Sequence, residues 1–169
     1  ITFLQNITGL WFLQRLMAEW ADEGDEQQYE PLLAAAERAE IQTVIPVDAP
    51  EFQNPKSMQQ AIRGYCERQA LDVPQTKADL TRVVLQSLAA KYAEATQALN
   101  AMLPEPIKKL HIIGGGSQNK LLNRLTQQAL GIPVEAGPVE ATAIGNILTQ
   151  ALAKGEVADI NEMRSIAIV

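Results

Sequence analysis

The stretch Leu110-His111-Ile112-Ile113-Gly114-Gly115-Gly116-Ser117 decides the fold class, because a strand signal, a turn signal and a helix cap follow one another without a gap. Leu110, Ile112 and Ile113 form a short apolar run of the kind that makes a buried strand, and it stops at three consecutive glycines. Ser117 suits a helix N-cap, and Leu121, Leu122, Leu125 and Ala129 follow at helical spacing on an inward side, with Gly131 at the C-terminus. Pro133-Val134-Glu135-Ala136 reads as a second strand, and Gly137-Pro138 leads into a helix from about Glu140 to Lys154 that Gly155 closes. Strand, helix, strand, helix in this order is a parallel βαβ unit with a right-handed crossover, so the class is α/β.

Upstream of that unit the pattern is helical. Leu10, Leu13, Leu16, Met17 and Trp20 mark one side of a helix that ends at Asp22-Glu23-Gly24-Asp25, and an Ala-rich helix runs roughly from Tyr29 to Ala39. Pro46, Pro50 and Pro55 rule out a continuous helix between Thr43 and Pro55. Ser57 caps a helix carrying Met58, Ile62, Tyr65 and Cys66. Thr76 and Asp79 form a capping-box pattern before Leu80, Val83, Val84, Leu88, Tyr92, Ala95, Leu99 and Met102, which predicts a helix of about seven turns. Ile1 to Gln5 reads as the end of a strand. Two strands are too few for a stable sheet, so further strands are expected from sequence before Ile1, and the chain is expected to be a fragment. An unpaired sheet edge in such a fragment favours association.

Composition narrows the function. The 169 residues, 47% of them hydrophobic, suit one domain with a substantial core. The net charge of −6 comes from 20 acidic and 14 scattered basic residues, which speaks against a nucleic-acid surface. No long apolar run suggests a membrane span or a signal peptide. The single cysteine, Cys66, forms no internal disulfide and reads as a small buried thiol, compatible with a reducing, cytoplasmic setting. With one histidine and one thiol, zinc sites and His-based catalysis have almost nothing to work with.

Three features carry chemistry. Gly114-Gly115-Gly116-Ser117, between a strand and a helix, lets backbone approach a ligand and offers N–H groups to an anion such as a phosphate or nucleotide. Neither the Gly-Lys-Ser/Thr of a P-loop nor the G-x-G-x-x-G spacing of a dinucleotide site is present, so spacing leaves both a structural turn and a nucleotide loop open. The turn Gly137–Asn146 lies at the same end of the sheet, where ligands of open α/β sheets sit. Its Ala141 and Gly145, four apart, fit close helix packing with no ligand contact. Finally, if a helix starts near Asn6, Asn6 and Gln14 lie about 80° apart around its axis and about 12 Å along it, so both amides line one cleft. Phosphoryl-transfer chemistry at such a loop would need a carboxylate base and groups to hold Mg²⁺. Asp22, Glu23, Asp25, Asp48 and Glu51 read instead as solvated charges.

Four segments are more particular: Asn6-Ile7-Thr8-Gly9-Leu10-Trp11, Asp48-Ala49-Pro50-Glu51-Phe52-Gln53-Asn54-Pro55, Gly114 to Asn119, and Gly137 to Asn146. Together, and in this order over nearly the whole chain, they resemble the FGGY family of carbohydrate kinases, the first two pointing to its L-rhamnulose branch. The resemblance implies an actin-like, ribonuclease-H-like ATPase fold, with residues 1–169 forming most of the second, nucleotide-side domain. Its early strands and the first domain of the same enzyme are then missing. It implies transfer of a phosphoryl group from ATP to L-rhamnulose, with Mg²⁺, in L-rhamnose catabolism. By position, Asn6 matches a sugar-contacting residue and Gln14 a nucleotide-contacting one. Gly115 matches a nucleotide-contacting backbone position, with Gly114, Gly116 and Asn119 as neighbouring candidates. The family's catalytic aspartate falls upstream of Ile1, so no catalytic residue is assigned and the chain alone is expected to be inactive. Kinases for xylulose, fuculose or glycerol, or a non-catalytic actin-like module sensing sugar or nucleotide, are the alternatives.

Overall fold

Helix starts are set by side chains that satisfy the first unpaired N–H groups. In the computed structural model, which describes residues 6–167, Ser57 accepts from the Gln60 amide, and Thr76 and Asp79 exchange both bonds of a capping box. The elements run α1 (Trp11–Asp22), α2 (Tyr29–Arg38), α3 (Met58–Arg68), α4 (Lys77–Asn100), β1 (Leu110–Ile112), α5 (Lys120–Leu130), β2 (Val134–Ala136), α6 (Ala141–Ala153) and α7 (Ile160–Ala167). Short 3-10 turns lie at Pro50–Phe52 and Gly115–Gln118. The strand expected over Ile1 to Gln5 lies outside the described residues.

The core forms around α4, whose Leu80, Val83, Val84, Leu85 and Leu88 are fully buried. Helices α2 and α5 pack along it and α1 touches it, while α3 packs on α1. Trp20, Phe12, Phe52 and Ile62 close the other end of the same cluster, with Phe12 edge-on to Phe52 at 5.7 Å. Glu19 of α1 ties this end together: its carboxylate accepts the Ser57 hydroxyl and the Met58 amide, the latter at 2.8 Å. Thr43, Ile45 and Val47 are buried alternately as in a strand, yet the segment pairs with α4 side chains rather than a ladder. The Ile45 amide donates to Ser87 Oγ at 2.9 Å, and Gln86 Nε2 donates to the Thr43 carbonyl. Cys66 is fully buried in the core.

The two strands pair in parallel, Leu110 with Val134 and Ile112 with Ala136, as the βαβ reading requires. Four local expectations need correction. The strand is not buried: α5 packs on the sheet from one side, and Ile113, just past β1, is 59% exposed. Ser117 does not cap α5. It lies in the 3-10 turn with its hydroxyl donating to the Gly114 carbonyl at 2.8 Å, and Asn119 takes the cap by accepting from the Leu122 amide at 2.9 Å. Ala129 is exposed, because the inward stripe of α5 runs through Leu121, Leu122, Leu125 and Thr126. Ala141 and Gly145 do not mediate close packing: α6 packs on α7, and a Cβ on Gly145 would meet nothing within 4 Å.

Leu85 lies fully buried at the centre of the α4 contacts. Leu85→Ala should therefore lower unfolding free energy by about 2–5 kcal/mol, seen as a lower urea midpoint at unchanged slope. A change below about 1 kcal/mol would contradict the central place given to α4.

Candidate nucleotide site

The site starts from a backbone requirement. Gly114 has φ +77°, a conformation that side-chain-bearing residues rarely adopt, and it turns the chain out of β1 into the 3-10 turn. The second loop is stitched to the first: the Gly114 amide donates to the Pro138 carbonyl at 3.1 Å, and the Gly137 amide to the Ile112 carbonyl at 2.8 Å. Both loops thus lie at the carboxyl end of the two parallel strands. A Cβ on Gly137 would come within 2.9 Å of the Ile113 side chain, so this crossing is tight. A Cβ on Gly115 would meet nothing within 4 Å, so its outer side faces open space.

That open space is a pocket of about 380 Å³ walled by Trp11, Gln14, Tyr29, Gly115, Gly116 and Gln118. Three of the nucleotide candidates, Gln14, Gly115 and Gly116, therefore come together. Gly114 supplies the turn behind them. Asn119 is 1% exposed and lies beneath the pocket, where its Oδ1 caps α5 and its Nδ2 donates to the Tyr29 hydroxyl at 2.9 Å. It shapes the wall rather than facing the space. Asn123 supports the same loop, its Nδ2 donating to the Ser117 carbonyl at 2.9 Å.

Asn6 stands apart. Helix α1 begins at Trp11, so Asn6 precedes it in exposed, non-helical chain, and the helical relation expected between Asn6 and Gln14 does not hold. Next to it in sequence, Thr8 and Gly9 meet Phe52 and Gln53 in a separate pocket of about 370 Å³. The two segments that distinguish the chain most, Asn6–Trp11 and Asp48–Pro55, thus meet in space, and Trp11 lines both pockets.

Of the five acidic residues singled out in the sequence, three are held in ion pairs. Asp48 pairs with Lys91 at 2.9 Å, and that ammonium holds the Asp48 carboxyl below its usual range. Glu51 pairs with Arg68 and Asp25 with Lys77. Among the described residues, no three His, Cys, Asp or Glu side chains are grouped to hold a metal ion, and no helix is long and apolar enough to cross a membrane.

Tyr29 and Gln118 are the wall residues that the sequence did not disclose. Tyr29 opens α2 as a half-exposed aromatic, three residues before Leu32 and seven before Ala36 and so in line with that buried stripe at its open end. Burial of its ring pushes the phenol above its usual range, and the bond from Asn119 offsets part of that rise.

The C-terminal domain of the FGGY family of carbohydrate kinases matches residues 1–154. A rhamnulokinase of Bacteroides thetaiotaomicron is 43% identical over 167 residues, covering 98% of this chain and 34% of the relative. A rhamnulokinase of Pectobacterium carotovorum is 43% identical over 162 residues, covering 95% and 32%. One from Yersinia pestis is 40% identical over 163 residues, covering 96% and 33%. The chain thus spans about a third of the length of these relatives.

Because the native Tyr29 phenol holds its proton more tightly than an unfolded one, its contribution to stability is complete below the ordinary tyrosine pKa and is lost as pH rises through the folded value. Difference absorbance of tyrosinate between wild type and Tyr29→Phe should show Tyr29 ionising above the free phenol. Asn119→Ala, which removes the offsetting bond, should push it higher still. An Asn119→Ala titration identical to wild type would contradict the Asn119–Tyr29 link.

Proposed function

We propose a function from one premise: the chain belongs to the FGGY family of carbohydrate kinases. In the intact protein it supplies the nucleotide-side part of an ATP-dependent kinase that converts L-rhamnulose to L-rhamnulose 1-phosphate, a step of L-rhamnose catabolism in the cytoplasm. The observation that carries the nucleotide half of this reading is the convergence of Gln14, Gly115 and Gly116 on one pocket at the carboxyl end of the sheet. The rhamnulokinase names of the relatives, at 40–43% identity, support the sugar half.

The domain is actin-like, with residues 1–169 as its nucleotide-side portion and the first domain completing the cleft. Gly115 and Gly116 approach the phosphates through backbone N–H groups, which bind an anion without a side chain's entropy cost. Gln14 faces the same space from α1 and orients the nucleotide. Asn6, in exposed chain ahead of α1, reaches toward the sugar. The proton acceptor for the sugar hydroxyl is an aspartate outside this chain. Mg²⁺ supplies neutralisation of phosphate charge in kinases of this type. The Asp25, Asp48 and Glu51 carboxylates do not fit it as ligands, since each is paired with a Lys or Arg. This chain's own work is positioning: it fixes one end of the nucleotide while a closing cleft brings the sugar in line.

Coupled ATP turnover by the intact protein on a panel of ketoses tests the reading, and selective turnover of L-rhamnulose is the expected outcome. Turnover selective for xylulose, fuculose or glycerol would reassign the sugar; turnover with none would favour a sensing module. The isolated chain should give no turnover. In the intact protein Gly115→Val should raise the KM for ATP tenfold or more, the loss of about one hydrogen bond to a charged group. The melting temperature should hold, because that Cβ meets nothing within 4 Å.

A further inference from the structure

Trp11 lines a second space besides the glycine pocket: the pocket of about 370 Å³ where the chain ahead of α1 meets the Asp48–Pro55 segment. The floor of this second pocket is apolar. Phe12, Val47 and Phe52 line it and are at most 2% exposed. Thr8 and Gln53 are more exposed and place a hydroxyl and an amide at its mouth. Among the described residues, none that lines it is ionisable. Trp11 stands edge-on to Phe12 at 6.0 Å and Phe12 edge-on to Phe52 at 5.7 Å, so wall and floor are braced against the core.

Polarity decides what such a floor accepts. It offers no countercharge to a phosphate or carboxylate, and a hydroxyl pressed against it would give up water without a new partner. A methyl group has no such cost and gains by leaving water. L-rhamnulose has both kinds of end: C1 carries the hydroxyl that becomes phosphorylated, and C6, at the other end of the carbon chain, is a methyl. Position agrees with this choice. Asn6, the sugar contact of the reading above, is two residues from Thr8, a span of at most about 7 Å. The glycine pocket adjoins through Trp11, so a sugar with C6 on the apolar floor turns its C1 end toward the nucleotide.

We propose that this pocket is the subsite for the C6 methyl of the sugar, and that its floor of Phe12, Val47 and Phe52 makes the kinase prefer 6-deoxyketoses to ketoses with a C6 hydroxyl. Thr8 and Gln53, at the mouth, serve the hydroxyls nearer the middle of the sugar. The subsite selects a class of sugar: fuculose carries the same methyl, so stereochemistry is read elsewhere. The inference rests on the kinase reading above and adds to it which end of the sugar enters this domain and which residues select it.

The test uses the intact protein and two sugars, L-rhamnulose and L-fructose, which differ only in that L-fructose has a hydroxyl on C6. Wild type should favour L-rhamnulose in kcat/KM by about 10- to 100-fold, the range in which an apolar pocket tells a methyl from a hydroxylated analogue. Gly9→Val narrows the mouth, and its Cβ meets nothing within 4 Å. It should raise the KM for L-rhamnulose and cut the margin between the sugars to about a fifth or less. Val47→Thr puts a hydroxyl into the floor at similar volume and should cut the margin too, by improving L-fructose. The KM for ATP should stay within about twofold in both, because neither residue lines the glycine pocket.

Should Val47→Thr misfold, Gly9→Val alone decides, since it changes no buried side chain. A wild-type margin near one, or a margin that the folded variants leave unchanged, would overturn the proposal, while phosphorylation of L-rhamnulose by wild type keeps the kinase reading standing. Turnover of neither sugar would overturn the kinase reading, and calorimetric titration with the same sugars then decides the subsite. Tighter binding of L-rhamnulose, lost in Gly9→Val, would support it; equal binding of the two sugars, or binding of neither, would overturn it as well.

Discussion

The rest of the structure depends on the burial of α4. A helix with Leu80, Val83, Val84, Leu85, Leu88 and Ala89 inside is apolar over more than one stripe, so it is stable only when covered from several sides. Helices α2 and α5 provide that cover along its length, and the segment Thr43–Val47 lies against it through Ser87 and Gln86. Since α2 begins with Tyr29 and α5 begins with Asn119, packing both helices on one support brings those two side chains within 2.9 Å. The site's wall is thus a consequence of core packing and needs no dedicated scaffold.

Much of the fold was legible from residues with strong local constraints. Ser57, Thr76 with Asp79, Gly131 and Gly155 punctuate helices through caps and positive φ, and the structure places each at such a boundary. The apolar spacing of α4 and the two short strands were legible for the same reason. The start of α1 was not. Asn6-Ile7-Thr8-Gly9 holds an amide side chain, two β-branched residues and a glycine, none of which tells extended chain from a first turn, and the helix begins only at Trp11. Ser117 and Asn119 are both good caps two residues apart. What separates them is the 3-10 turn that three glycines permit, which shifts the helix start by one short step.

The candidate site was legible in part, and unevenly for a physical reason. Gly114 to Gly116 announce themselves because an uninterrupted glycine run has few uses other than close backbone approach or a forced turn; here Gly114 makes the turn and Gly115 and Gly116 line a pocket. Gln14 takes its place on the pocket from helix phase, since it lies on α1 beside the buried Leu13. Tyr29 and Gln118 carry no such signal. An aromatic residue at a helix start is ambiguous between core, surface and site until its neighbour across the chain is known, and that neighbour is 90 residues away.

The glycine loop would be hard to hold in place by its strands alone. Among the described residues the sheet has two strands of three residues each, and a two-stranded ladder of that length is marginal in water. The loop is instead held from its helical side. Asn123 donates to the Ser117 carbonyl, Ser117 to the Gly114 carbonyl, and Asn119 is buried to 1% exposure beneath it, all three within or just ahead of α5. Because α5 is in turn packed on α4, the position of the glycines follows from a helix–helix contact rather than from the ladder. The second loop has no comparable anchor. It is joined to the first by the Gly114–Pro138 and Gly137–Ile112 bonds, while α6 behind it buries one side chain, Leu148, and leaves Ile147 66% exposed. The two halves of the strand-end surface therefore differ in rigidity: the glycine half is fixed by the core, and the Gly137–Pro138 half takes its place from the glycine half.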